Sequence, residues 1–459
     1  MADCKKDHDW TETPKKPTNA EQSTSKIRYN ILDFNSVVKT MILAHVIALD
    51  PTCKQANALA RACGVARFTY NWALAEWKRQ YQAGEKPTAN KLSREFNAIK
   101  GEQFPWIYES PRDANSRAFA DLNVAFRNFF ASVKGKRKGR KIGYPTMRKK
   151  GVHNSFYVAN DKFRFDADGK HVVLPVIGKV KIHEPLRLHG KILSGRVKRR
   201  AGRWFLAVQV ECGNVERAPC EPRRVIVGVD LGLKTAVVPS QGSPFKSPKP
   251  LKASLLRLRR ANRALHRRKK GGSNRHKAQK RVARLHYRIA CIRHDFWHKT
   301  TTQLCRENQT IVIEDLSMAF MLKNRKLARS AADTALGMFR PMLAYKAILF
   351  GCRVVVADKW FPSTQRCSSC ENVRTGKSKV VLGESEYLCD SCGVVEDRDE
   401  NAAKNLEQYP RLEGNWGHKT QTPMDDLASA VPARAGTASR VAEVGTKPCS
   451  RAHLRKQGS

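Results

Sequence analysis

The chain has 459 residues, too many for one ordinary hydrophobic core and enough for about two to four structural units. Its 86 Lys and Arg against 41 Asp and Glu give a formal net charge of +45, which calls for a polyanionic partner, because self-repulsion on that scale opposes compaction until phosphates neutralise it. No apolar run approaches the ~20 residues of a spanning helix, the polar start MADCKKDHDWTETPKKPTNAEQ lacks a signal-peptide core, and 13 cysteines without an export signal suit a reducing cytoplasmic setting; a membrane partner and a disulfide scaffold are thereby set aside.

Residues 1–35 are rich in Lys, Thr, Pro and Asp and poor in apolar side chains, the composition of a disordered extension. Val37 to Leu49 (VVKTMILAHVIAL) is rich in β-branched residues and partly alternating, so it reads as a strand. Gln55 to Tyr81 and Ser116 to Val133 then place apolar residues at helical spacing. The run KGKRKGRK, Lys134 to Lys141, is charged apart from its glycines and reads equally as a solvated linker or a phosphate contact. Between Asn154 and Cys212 short strand patterns (SFYVAND, FRFDADGKHVVLPVIGKVKI, WFLAVQVEC) alternate with Gly and Asp turns, predicting a small antiparallel barrel or sheet. If the strand ending at Leu49 joins it, the helical block is an insertion in that barrel.

After Arg224 the pattern changes. VIVGVDLGLKTAVVPS reads as a buried strand, a tight turn and a second strand. Leu251 to Asn308 predicts a long basic helical hairpin broken at KKGGSN, with Leu255, Leu258, Leu265, Val282 and Ile289 on its apolar side and an Arg-rich outer face open to phosphates. IVIEDL, a helix around Leu343 to Phe350 and the strand CRVVVAD continue an alternation that predicts an α/β sheet. The segment after Tyr409 is rich in Ala, Gly, Ser, Thr and Pro and is expected to be disordered.

Two motifs carry chemistry. Cys367 and Cys370 in CSSC, then Cys389 and Cys392 in CDSC, give C-x2-C-x18-C-x2-C, with Gly393 following the second pair. Each pair offers two thiolates from one tight turn, and four soft ligands in a tetrahedron suit Zn²⁺; with no open position for water the ion is structural. A pair of redox dithiols would need an oxidoreductase context that the chain lacks.

The second motif is a set of acids. Asp230 lies within VIVGVDLG, where an ionised carboxylate needs a positive partner, and Gly228 and Gly232 leave the backbone room for close approach of a ligand. Glu314 directly follows three β-branched residues in IVIED, on what should be a neighbouring strand. Asp399, in DRDENAAKNL, starts a helix just beyond the cysteines. Singly, Glu314 reads as a solvated strand end and Asp399 as a helix N-cap. Together, in so basic a chain, they suit two Mg²⁺ ions about 3.5 to 4 Å apart, which activate water and steady the leaving oxygen of a phosphodiester.

VARFTYN (Val65 to Asn71), FRNFF (Phe126 to Phe130), GVDLGLK (Gly228 to Lys234), the Glu314 strand, FPSTQRCSSC (Phe361 to Cys370) and DRDENAAKN stand in an order that resembles the TnpB family, transposon-encoded RNA-guided nucleases related to type V CRISPR effectors. The resemblance covers most of the chain. It implies a multidomain α+β fold: a β-barrel wedge domain (36–54 and 150–222) with an inserted helical recognition domain (55–149), then a RuvC nuclease domain of RNase H-like fold (223–360 and 397–409) with an inserted zinc ribbon (361–396), flanked by the extension 1–35 and the tail 410–459.

It further implies that Asp230, Glu314 and Asp399 are the catalytic acids, Asp397 being the lesser alternative to Asp399, and that the cofactors are two catalytic Mg²⁺ ions, one structural Zn²⁺ and a guide RNA. The implied target is double-stranded DNA, selected by guide pairing and by a short adjacent motif that the protein reads. Arg112, Asn115, Ser116 and Arg117, at the start of the second predicted helix, are the expected DNA contacts, with ordinary helix-surface residues as the competing reading. A monomeric protein in a cytoplasmic, nucleoid-associated ribonucleoprotein of a prokaryotic cell is expected. Alternatives are a guide-dependent repressor that binds without cutting, which the intact acids oppose, a compact CRISPR-associated effector of the same lineage, a strand-transferring transposase, and a zinc-ribbon RNA-binding protein without activity.

Overall fold

The computed structural model describes residues 41–137, 139–213, 223–316, 318–380, 384–412 and 442–444. Among them no helix is long and apolar enough to cross a membrane. The expected N-terminal extension, the start of the strand predicted from Val37 and most of the predicted tail lie outside the described residues.

Strand β1 (Met41–Asp50) is followed by α1 (Cys53–Gln82), whose start is fixed by a capping box in which Thr52 and Gln55 satisfy each other's backbone N–H groups. Next come α2 (Ala89–Gln103), N-capped by Thr88, and α3 (Arg112–Val133). Leu59, Ala62, Ala66, Ala73 and Trp77 form one buried stripe of α1, and Ala118, Phe119, Leu122 and Phe126 the facing stripe of α3. The helix α2 was not expected from the sequence, because its apolar face is thin: Ala89, Leu92 and Phe96 are its buried residues.

The chain returns as β2 (Ser155–Ala159), β3 (Arg164–Phe165), β4 (His171–Leu174), β5 (Gly178–Ile182), β6 (Lys191–Arg200) and β7 (Arg203–Cys212). With β1 these strands form an antiparallel sheet of order β2-β6-β7-β1-β5-β4-β3, in which Ile47 pairs with Leu206. The three helices are thus inserted between one central strand and the rest of the sheet. No ladder joins β2 to β3 among the described residues, so the expected barrel is an open sheet by hydrogen bonding. The two-residue β3 is too short to carry a closing ladder.

The second half contains β8 (Arg224–Asp230), β9 (Val238–Pro239), α4 (Pro250–His266), α5 (Ser273–Glu307), β10 (Asn308–Ile313), α6 (Met318–Lys323), α7 (Ala328–Thr334), α8 (Phe339–Phe350) and β11 (Arg353–Val356). The sheet order is β11-β10-β8-β9, with β8, β10 and β11 parallel and β9 antiparallel to β8. Helices make both parallel crossovers, as parallel pairing requires. Trp297 of α5 is fully buried against Phe339 of α8 and donates to the Thr334 carbonyl at 2.8 Å, which pins the long hairpin to the sheet layer. The hairpin β12 (Glu386–Leu388) and β13 (Val395–Asp397) precedes α9 (Arg398–Gln408), which packs across β8. Within the tail predicted to be disordered, β14 (Ala442–Val444) pairs in parallel with β1, Leu43 opposite Ala442. The whole is a multidomain α+β architecture.

Candidate functional site

Asp230 ends β8, and Glu314 is the first residue past β10. The two strands are parallel neighbours with Val229 opposite Ile313, so one further step of the register sets Glu314 beside Asp230 at the carboxyl edge of the sheet. That edge is where ligands bind in open α/β sheets. Asp399 arrives from elsewhere, in the first turn of α9.

Burial, then the negative charges of Glu314 and Asp399, push the Asp230 carboxyl well above the usual carboxylate range; the Leu231 N–H and the Arg398 guanidinium pull the other way. Glu314 and Asp399 are thus both close enough to act on the Asp230 carboxyl. The three acids do not form a cage in which one oxygen from each lies within 4.8 Å of the others.

The supports of this site were not foreseen. Ser363 donates to Glu314 Oε1. Arg340 of α8 donates to the Glu314 carbonyl at 3.2 Å and to Asp315 at 2.9 Å, which fixes the turn after β10. Arg398 contacts Asp399 at 3.2 Å. Asp397, not Asp399, is the N-cap of α9: its Oδ1 accepts from the Asp399 N–H at 2.8 Å and the Glu400 N–H at 3.2 Å, which leaves the Asp399 carboxylate free of capping duty. Gly228 also differs from expectation. The space above it holds no ligand but the backbone of α9, since a Cβ there would lie 1.9 Å from the Ala403 carbonyl oxygen. A Cβ on Gly232 would lie 2.5 Å from the Thr235 carbonyl oxygen of the tight turn and 3.9 Å from Asp399 Oδ2, so the glycine leaves room for the turn and lies beside the third acid.

The four cysteine sulfurs lie within 4.8 Å of one another. Cys367 and Cys392 are 3.7 Å apart, and Cys370 and Cys389 3.5 Å. A tetrahedron with Zn–S bonds of about 2.3 Å requires edges of about 3.8 Å, so the set fits zinc. Each pair is followed by a residue with positive φ, Glu371 and Gly393, whose N–H returns to the Cys367 or Cys389 carbonyl. The thiols move in opposite directions: the Cys392 N–H holds Cys389 down to about 6 and burial raises Cys367, while against the pull of the Val394 N–H the Cys370 thiol and burial push Cys392 up to about 12. The fit to zinc therefore rests on the sulfur geometry. The segment leading into the four-cysteine cluster is tied to α9: Asn405 donates to the Ser363 and Arg366 carbonyls, and Asn401 donates to the Arg366 carbonyl and accepts from the Ser368 N–H. These two buried asparagines, four residues apart, were legible as one helix face but not as a tether. A second cluster, Asp166, Asp168 and His171, already holds a cation in Lys179, 3.5 Å from Asp168.

Of the expected DNA contacts, Arg112 and Ser116 are exposed at the start of α3. Arg117 is partly buried, stacked over the Tyr157 ring at 4.6 Å. Asn115 is 4% exposed and accepts from Thr69 of α1 at 3.1 Å, so its side chain is committed to helix packing; that assignment is corrected.

Fold and charge define a basic, multidomain α+β protein, and three sequence families match it: "Probable transposase" over residues 207–325, "Cas12f1-like, TNB domain" over 337–406 and "Helix-turn-helix domain" over 41–86. The last stretch here is a strand and one long helix. A protein of Streptomyces pristinaespiralis named "Putative RNA-guided DNA endonuclease" is 36% identical over 78% of this chain and 86% of its own length. A Mycobacterium tuberculosis protein of the same description is 30% identical over 85% of this chain and 92% of its own. A Cas12f1 complex with single-guide RNA and target DNA aligns with a TM-score of 0.43 at 12% identity, over 77% of this chain and 82% of that one. The chain belongs to the TnpB family, the OrfB type of IS605 elements.

Proposed function

We propose that this protein is an RNA-guided DNA endonuclease in which Asp230, Glu314 and Asp399 hold two Mg²⁺ ions. The observation that carries the reading is the pairing of Asp230 and Glu314 at the carboxyl edge of the sheet, with Asp399 of α9 close to the turn after Asp230 and, after burial and Glu314, raising its carboxyl pKa. When bound, such ions activate water and steady the leaving oxygen of the scissile linkage. The chain's own part is positional: Ser363 orients Glu314, Arg340 fixes its backbone, Asp397 caps α9, and Arg398 lies against Asp399.

On this reading 223–360 and 397–409 make up the RuvC domain, 361–396 the zinc ribbon held by Cys367, Cys370, Cys389 and Cys392, and 36–54 with 150–222 a wedge that frames the helical domain 55–149. The strand order β11-β10-β8-β9 supports an RNase H-like core. One chain supplies every acid and cysteine, so a monomeric protein suffices in the ribonucleoprotein. Target selection falls to guide pairing, while Arg112, Ser116 and Arg117 at the start of α3 meet the DNA beside it. The test is a matched-target assay with Mg²⁺: Asp230→Ala should abolish cutting and keep RNA and target binding. An Asp230→Ala protein that still cuts overturns the site.

A further inference from the structure

We propose that the outer end of the helical block is a base-stacking platform for unpaired nucleotides of the guide RNA, an inference that rests on the RNA-guided reading above. The ends of α1 and α3 meet there with the connector that follows α3. Phe126 is buried; Phe130 lies nearly parallel to it with centroids 6.0 Å apart, and Tyr144 of the connector stands edge-on to Phe126 and Phe129 at 5.4 and 5.5 Å. The outer rings are uncovered: Tyr81 is 70% exposed, Tyr144 48% and Phe130 46%. Trp77 of α1, one turn before Tyr81, stacks on Phe126 with centroids 4.1 Å apart, which brings the end of α1 to these rings, and burial, then the Tyr81 phenol, push the Tyr144 hydroxyl above its ordinary range.

The platform is held in shape. Ser132 Oγ accepts from the Ile142 N–H at 2.9 Å, Arg137 donates to Asn128 at 3.3 Å, and Asn71 of α1 accepts from the Arg148 N–H at 2.7 Å and donates to its carbonyl at 3.0 Å. Along the chain the charge here is mostly positive: residues 122–160 contain ten Lys and Arg and no Asp or Glu, although Arg148 pairs with Asp121 at 3.0 Å.

Exposed rings beside an excess of positive charge select the occupant. A second copy of the chain would bring like charge against like, and an apolar peptide would leave the cations unmatched. Single-stranded nucleic acid satisfies both features, because bases stack on the rings while phosphates meet the cations. A duplex target keeps its bases paired until it is opened, whereas a folded guide RNA offers unpaired nucleotides in loops from the outset.

The ribonucleoprotein, purified with its RNA, is irradiated with ultraviolet light and its nucleotide adducts mapped by mass spectrometry. Ribonucleotide adducts on Tyr81, Phe130 or Tyr144 are expected. The double variant Tyr81→Ala/Phe130→Ala should bind a fluorescent oligouridylate about tenfold more weakly and bind duplex DNA of the same length unchanged. Should the double variant misfold, Tyr81→Ala alone, which removes a ring from solvent, keeps the comparison. Three results would overturn the proposal: RNA adducts elsewhere but none here, deoxynucleotide adducts here that form only after target is added, or a dimer in sedimentation that the double variant abolishes. If no RNA copurifies, it is the RNA-guided reading that fails, and the oligouridylate comparison still decides whether the platform binds RNA.

Discussion

Gly228 of β8 and Ala403 of α9 meet backbone to backbone: a Cβ at position 228 would stand 1.9 Å from the Ala403 carbonyl oxygen and 2.4 Å from the Glu407 nitrogen. Two residues on, β8 presents Asp230; four residues earlier, α9 presents Asp399. The contact therefore sets how closely the two acids approach.

Gly228→Ala should push α9 off the sheet. Overpacking of this kind costs about 1–3 kcal/mol or more, and the displaced Asp399 should reduce cleavage at least tenfold, roughly the consequence of 1.4 kcal/mol in a barrier. Thermal unfolding and a cleavage time course check both effects. A variant with native Tm and native rate would show that α9 does not need this approach.

Part of this arrangement is legible in the sequence. VIVGVD and IVIED each run apolar β-branched residues into an acid, and a parallel pair read in register puts Asp230 and Glu314 side by side. The cysteine spacing likewise announces the ribbon. What the local pattern does not carry is long-range partnership: the occupant of the space above Gly228 lies far along the chain, and the roles of Asp397 and Asp399 depend on where α9 begins. Asn115 looked like a surface residue because polar side chains on helices usually are, yet Thr69 satisfies it in the interior. The guide RNA was implied by the family resemblance; charge alone asks for a polyanion of any kind.

Asp230→Asn should raise the thermal stability of the metal-free protein while abolishing cleavage. Burial, then Glu314 and Asp399, hold the Asp230 carboxyl back from ionising in the fold, a cost the unfolded chain does not bear; the isosteric amide cannot ionise, so it removes that cost and keeps the volume. Added Mg²⁺ should stabilise the native chain and leave the variant's Tm nearly unchanged. Melting curves with and without Mg²⁺ decide, and an equal Mg²⁺ response in both proteins would speak against Asp230 as a ligand.

Removal of zinc should reach the acids through the ribbon's tether. Cys389→Ser, or a chelator strong enough to strip a four-cysteine site, should release about one zinc ion per chain. The segment from Ser363 to Ser368 should then loosen, because Asn401 and Asn405 hold it on α9. Zinc release by a colorimetric chelator and hydrogen exchange across that segment are the measurements. Unchanged exchange after full zinc loss would show that the tether stands alone.

Ser363→Ala removes one hydroxyl from a buried position and leaves Glu314 without its donor. A hydrogen bond to a charged group contributes about 1.5–3 kcal/mol, so a roughly 10- to 100-fold fall in cleavage rate is expected, with target affinity unchanged. Single-turnover kinetics separate the two. Equal losses in rate and affinity would place Ser363 in binding instead.

His45 gives the sheet of β1 a pH dependence of its own. The ring is fully buried, and its Nδ1 accepts from the Arg187 N–H at 3.3 Å, which requires a neutral imidazole there. Burial lowers its pKa; Glu184, 3.6 Å from Nε2, pulls the other way, and the Arg187 charge adds to the lowering. In the unfolded chain the imidazole titrates near about 6.5. Below that value the unfolded state takes up the proton first, so the stability associated with neutral His45 is fully present above about pH 6.5 and is lost as pH falls toward the folded pKa, by at most about 1.4 kcal/mol per pH unit. His45→Gln keeps an acceptor and cannot titrate, so its urea midpoint should change less than the native one between about pH 7.5 and 5.5. Parallel pH profiles for the two proteins would assign the acid sensitivity to another group.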